Sequence, residues 1–157
     1  MNAQIVSPSQ ASAGIGFAIP VNTVRRVVPQ LIAQGHYPHP WLGVSILRFE
    51  AEGAQLLREA GMEVPVDAGL LVAEVTAGGP AATAGIHAGD RVVSIGNARV
   101  PVGGDIITAL NGKPIASFEE LTVYLETETQ VGDTVEVTII RDGREMTVKV
   151  TLAERSE

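Results

Sequence analysis

The sequence predicts an α+β protein dominated by strand, and three observations carry that prediction. Aromatics make up 4% of the 157 residues although 45% are hydrophobic, so the core is built from small and β-branched side chains, which suit a pleated surface. Short apolar runs with period-two alternation recur from Trp41 to the C-terminus. The last two, "DTVEVTII" and "EMTVKVTL", are joined by Arg141-Asp142-Gly143-Arg144, and Asp-Gly between alternating strands is the strongest short hairpin signal.

From the N-terminus, "MNAQIVSPSQ" carries a short apolar patch, Ile5-Val6, and then a Ser/Pro turn. "ASAGIGFAIP" reads as a second extended piece stopped by Pro20, so the two make a hairpin with a loose turn. Asn22 is placed to cap a helix in which Val24, Val27, Val28, Leu31 and Ile32 form one apolar stripe. Gly35 suits its C-terminal end, and Pro29 should kink or split it. "HYPHP" (36–40) reads as a stiff linker between residues 1–35 and a domain over 41–157.

The domain opens with the strand "WLGVSILRF" and the short helix "AEGAQLLREAG", which Gly61 can end. "AGLLVAEV" (68–75) is a strand, and "GGPAATAGI" holds a one-turn helix with Pro80 at its first position. An internal repeat follows. "GDRVVSIGNARV" and "GDIITALNGKPI" superimpose at an offset of 15 residues, too short for a solenoid, and read as two successive strand–turn units of one sheet. Ser117 through Glu120 is a capping box that starts the helix "FEELTVYLET".

Composition excludes several classes of function. The net charge of −7, with Arg25-Arg26 as the only adjacent basic pair, disfavours nucleic acid, which demands clustered cations. No apolar run reaches the roughly 20 residues of a membrane span, and no signal peptide layout is visible. With no Cys there is neither a disulfide framework nor a thiolate. No serine sits in a G-x-S-x-G or Gly-rich turn beside a base, so no catalytic residue is assigned. His36-x-x-His39 stands among prolines without an adjacent acid, His87 sits in a Gly-rich turn, and no metal or cofactor site is assigned. "AGGP" and "VGGD" lack the Lys-Ser/Thr of a phosphate loop.

"PWLGVSIL" carries chemistry of another kind. If its strand lies at a sheet edge, an extended peptide can pair with it by strand addition. Amides turning at Leu42-Gly43-Val44 then form a nest for a carboxylate. The same residues also suit an ordinary core strand with an incidental glycine, and pattern alone leaves the two open.

"WLGV", "GLLVAEVTAGGPAATAGIHAGDRVVSI", "DIITALNGKPIASFEELTVYL" and the terminal hairpin together resemble a bacterial-type PDZ domain over about residues 41–153. The duplicated Gly-Asp unit departs from that pattern by about fifteen extra residues. Residues 2–35 are similar to the end of the trypsin-like domain of HtrA/Deg serine proteases, the DegP-like family. The resemblance implies a PDZ-like, partly open β-barrel or sandwich with two main helices, preceded by a hairpin-plus-helix remnant of a trypsin-like barrel. The family's catalytic residues all precede this tail, so the chain as given is expected to be inactive. Without the rest of that barrel, residues 5–19 should fray, or pair as a hairpin with themselves or a second chain.

Carried over residue by residue, the resemblance implies that the amides of Leu42, Gly43 and Val44 receive a peptide's terminal carboxylate. Val44 and Ile46 would floor the pocket for the last side chain, and Ser45 and Leu47 would pair through the backbone with the added strand. Trp41, Phe118, Leu121, Tyr124 and Leu125 complete the groove, with some of the helix residues facing it and some the core. The implied partners are C-termini or extended apolar segments of unfolded or cleaved proteins, and other HtrA subunits. Two further roles stay open: a fragment of a serine endopeptidase acting in protein quality control, and an oligomer assembly module. The family implies the cell envelope or periplasm.

Overall fold

A computed structural model of the chain describes residues 2–5, 16–95 and 98–155. Contacts divide it into two units, Met1–Pro38 and His39–Glu157. In the first, β1 (Asn2–Ile5) and β2 (Gly16–Ala18) pair antiparallel, with Ile5 opposite Gly16 and Asn2 opposite Ala18. Of the two fates expected for residues 5–19, the self-paired hairpin is therefore the one adopted by the residues described. Residues 6–15, and with them all of "ASAGI", lie outside the described residues.

Helix α1 (Val21–Gln34) follows. Asn22 does not cap it: the carbonyl of Pro20 takes the amides of Thr23 and Val24, and Asn22 falls within the first turn. The fixed φ of proline, here −56°, already suits the helix entry, so no side-chain cap is used. Nor does Pro29 split the helix, because the ring removes a single amide donor from a ladder of about four turns. Gly35 closes it at φ +78°, donating its amide to the carbonyl of Leu31, as a left-handed cap does.

The second unit runs β3 (Pro40–Trp41), β4 (Val44–Phe49), α2 (Ala51–Glu59), β5 (Gly69–Val75), α3 (Pro80–Thr83), β6 (Arg91–Ile95) and β7 (Ala98–Val102). It continues with β8 (Ile106–Leu110), β9 (Lys113–Pro114), α4 (Phe118–Glu128), β10 (Thr134–Arg141), β11 (Arg144–Thr151) and β12 (Ala153–Glu154). The main sheet is antiparallel and open, in the order β11-β10-β8-β5-β4, with β9 paired to β8. Strand β12 pairs with β3. His39 and Pro40, read from sequence as linker, thus belong to this unit: Pro40 lies opposite Glu154, and the carbonyl of His39 accepts the amide of Arg155.

Side-chain alternation splits the core into two layers. Leu70, Val72, Ile107 and Ile139 face α4 with Leu121, Tyr124 and Leu125. Leu71, Ile106 and Ile140 face the other way, toward Ala54 and Leu57 of α2 and Val102 of β7. Both Asx-Gly turns are of the mirror type that suits two-residue hairpins: Asp142 and Gly143 have φ +48° and +70°, and Asn111 and Gly112 have +46° and +76°. At α4 the Ser117 hydroxyl accepts the amide of Glu120, while the Glu120 carboxylate reaches back to the amide of Ala116.

The sequence repeat does not form one sheet. Strands β6 and β7 make a separate hairpin, while β8 and β9 join the main sheet. The reason lies at Val72. Its amide donates to Asp105 and its carbonyl accepts Gly89, so β5 has ladder positions for only one of the two units. The neck is tight, since a Cβ on Gly104 would lie 2.3 Å from the carbonyl oxygen of Val72. Asp105, 1% exposed, locks it. It takes two hydrogen bonds of 2.7 Å from Arg141 and one of 2.8 Å from the amide of His87. Its hydrogen bonds hold the guanidinium's pKa above its ordinary value, so the Arg141 charge is permanent.

Candidate peptide-binding cleft

The strand predicted over Trp41–Phe49 breaks at Leu42-Gly43. Gly43 adopts φ +81°, and a Cβ there would stand 3.2 Å from Pro80 and 3.4 Å from the Trp41 ring. Only glycine reaches this conformation without strain. The break is pinned from outside: the carbonyl of Leu42 accepts the amide of Ala81, and that of Gly43 accepts the amide of Thr76. Both carbonyls are thus turned into the protein. No loop or turn backbone bond from the amides of Leu42 or Gly43 occurs among the described residues.

Beyond the break, β4 is the last strand of the main sheet; its outer edge has no strand partner among the described residues. Val44 and Ile46 are half-buried against the layer beneath α4, and Ser45 and Leu47 are exposed on the opposite face. A cleft of about 400 Å³ lies between the Trp41–Val44 segment and α4. Phe118, Leu121, Thr122, Leu125 and Glu126 line it from the helix. Their spacing of i, i+3, i+4, i+7 and i+8 is one helical face. Leu121 and Leu125 form its buried floor, and Phe118 stands 58% exposed at its wall.

Of the residues singled out from sequence, Trp41, Leu42, Gly43, Val44, Phe118, Leu121 and Leu125 come together around this cleft. Ser45, Ile46 and Leu47 lie farther along the same strand edge. Tyr124 turns away: it is buried in the core and its hydroxyl accepts a 3.0 Å bond from the Asn111 side-chain amide. Sequence reasoning missed His39, Pro40, Thr122, Glu126 and Arg155, all of which line the cleft. His39 and Glu126 are joined by a 2.7 Å contact. Thr122 and Glu126 follow from helical spacing once Phe118 is placed. His39 and Arg155 are positioned by the β3–β12 pairing, a long-range contact with no local signature.

An edge strand facing an amphipathic helix across an apolar cleft, closed at one end by a glycine-bent loop, has the geometry in which an extended peptide can be added as a further strand. The PDZ domain family matches residues 5–102, and a second PDZ family description matches residues 101–152. The chain belongs to the PDZ domain family. It is 36% identical over 147 residues to the serine protease Do-like HtrA of Bacillus subtilis, covering 92% of this chain and 29% of that protein. It is 36% identical over 152 residues to the periplasmic pH-dependent serine endoprotease DegQ of Escherichia coli, covering 97% of this chain and 29% of that protein. Among solved structures it resembles the HtrA-type protease AlgW S227A variant bound to a decapeptide. There the TM-score is 0.67 at 25% identity, over 99% of this chain and 41% of that one. The chain thus spans under a third of the length of these two curated relatives, and it is homologous to a PDZ-containing portion of HtrA-type proteases.

Proposed function

We propose that residues 39–157 capture extended C-terminal peptide segments by adding them to β4. The terminal carboxylate is taken at the amides of Leu42, Gly43 and Val44, and the last apolar side chain lies over Leu121 and Leu125. The observation that carries this reading is the open edge of β4 running beside the apolar cleft from the Gly43 bend. Gly43 admits the ligand terminus where a Cβ would crowd Pro80 and Trp41. Tyr124 acts from the core, holding α4 in place.

Backbone hydrogen bonds contribute about 0.5–1.5 kcal/mol each, and one buried apolar side chain about 1.5–3 kcal/mol. After the cost of association this leaves roughly micromolar affinity, suited to transient recognition of unfolded or cleaved chains. By its likeness to periplasmic proteases, the chain acts outside the cytoplasm as the substrate-recognition part of an HtrA-type serine protease.

The test uses the protein's single tryptophan, Trp41, which lines the cleft. Peptides ending in Val, Leu or Phe should change its emission and saturate at micromolar concentration. The same peptides with an amidated C-terminus should bind at least tenfold more weakly, by loss of a charge-assisted contact worth about 1.5–3 kcal/mol. Equal binding by acid and amide refutes the carboxylate site.

A further inference from the structure

We propose that β11 is a self-recognition edge: two copies of this chain pair their β11 strands antiparallel about a two-fold axis at Thr147, joining two main sheets into one. Strand β11 ends the sheet on the side away from β4, and its outer edge has no strand partner among the described residues. Its inner partner sets which of its amides are free to pair. The amide of Leu152 donates to the carbonyl of Asp133, and bonded positions alternate along an antiparallel ladder. The even-numbered residues of β11 therefore bond to β10, while Glu145, Thr147, Lys149 and Thr151 turn their amides and carbonyls outward. All four side chains are exposed.

A two-fold dimer brings identical edges together, here antiparallel. Outward amides must face outward amides, so the axis falls on a residue and not between two. Consider the axis at each residue from Glu145 to Lys149. At Glu145 or Lys149 it opposes like charges, and at Met146 or Val148 it sets Glu145 against a threonine. At Thr147 alone, Glu145 stands opposite Lys149 of the second copy, and symmetry makes that pair twice. Opposed residues share a face, so the other face gains an apolar match. Met146, 42% exposed, meets Val148 of the second copy, which packs against the core layer under α4. Lys149 also lies 3.7 Å from Glu136 of β10, so in the dimer its ammonium sits between two carboxylates. Beyond it, a groove of about 300 Å³ lined by Thr83, Ala84, Lys149 and Thr151 gives space to the second copy's Asp142-Gly143 turn. The same charges blunt the edge toward strands that cannot match them. Strand β4 lies at the far end of the sheet, so both clefts stay open in the dimer.

The experiment is sedimentation velocity of the full chain from about 10 μM to about 1 mM, the range suited to a small, transient interface. It compares the natural sequence, Glu145→Lys, Lys149→Glu and an equimolar mixture of the two variants. The natural sequence should pass from monomer to dimer as concentration rises. Each variant alone opposes like charges twice and should associate at least about tenfold more weakly. The mixture should recover the dimer, because each reversed charge then meets an opposite one. Both reversals lie at exposed positions away from the core, and recovery in the mixture itself shows that the variants are folded. A monomer at every concentration, a dimer that neither reversal weakens, or a mixture no more associated than its components overturns the proposal. Trp41 emission with free-acid peptides should be the same for both variants as for the natural sequence, so peptide capture at β4 is judged separately.

Discussion

At Gly43, backbone conformation and ligand chemistry meet. Its φ of +81° costs an L-residue about 1–2 kcal/mol, and the Cβ would press on Pro80 at 3.2 Å. Gly43→Ala should therefore lower stability by about 1–2 kcal/mol and weaken binding of free-acid peptides far more than of amides. Urea unfolding and the paired titration separate the two effects, and a variant that binds acids normally would show that the bend is not the carboxylate site. Asp105 presents the opposite problem, a buried carboxylate with every contact in use. Asp105→Ala takes its carboxylate from Arg141, which is 25% exposed and keeps the Gly85 carbonyl, and from the amide of His87, a loss of about 1.5–3 kcal/mol. A thermal midpoint within 2–3 °C of wild type, well short of the 4–8 °C per kcal/mol of a small domain, would count against that role. The loop residues of the cleft were reached through the resemblance that "WLGV" carries, since its pattern alone suits a core strand with an incidental glycine equally well. Asp105 was not: "GDR" and "GGD" look alike, and only the fold decides which aspartate is buried.

Among the elements, those specified by local chemistry match their sequence signals closely. The Asp142-Gly143 turn, the Ser117 cap and the Gly35 terminator each depend on side chains within four residues. Asn22 and Pro29 of α1 departed from expectation through local backbone geometry, and the other departures depend on distant partners. Strand β3 exists because β12 returns beside it, and β6–β7 leaves the sheet because Val72 is already bonded to Gly89 and Asp105. That neck makes the hairpin removable. A Cβ on Gly104 would lie 2.6 Å from the amide nitrogen of Gly89, so the ends to be joined are already adjacent. Deleting residues 90–103 and joining Gly89 to Gly104 should keep the main sheet. The burial of Val102 is lost, at about 2–3 kcal/mol. Cooperative urea unfolding with a lower midpoint, and retained amide protection in β8 and β10, is the expected result. Loss of cooperativity would mean that the hairpin is integral to the sheet.

For the whole molecule, the division at Pro38/His39 makes a prediction sharper than a generic domain boundary. Among the described residues, those lining the cleft are numbered 39 or higher, and the second unit contains both core layers. A protein comprising residues 39–157 should unfold cooperatively and bind free-acid peptides within about twofold of the full chain, since no lining contact is lost. Starting at residue 42 instead removes β3, and with it the bridge to β12 and the carbonyl that holds Arg155. That shorter protein also lacks the Trp41 ring against the Gly43 bend. Binding should then fall by tenfold or more, a loss of about 1.4 kcal/mol, read by calorimetry because the tryptophan is gone. Arg25 and Arg26 are the only charged residues before His39, so both shorter proteins carry a net charge of −9, and long-range attraction for basic peptides, with its screening by salt, is common to them. A difference between the two that persists at high salt therefore belongs to the β3–β12 clasp. Equal affinity of both would place the carboxylate site away from the loop that this clasp supports.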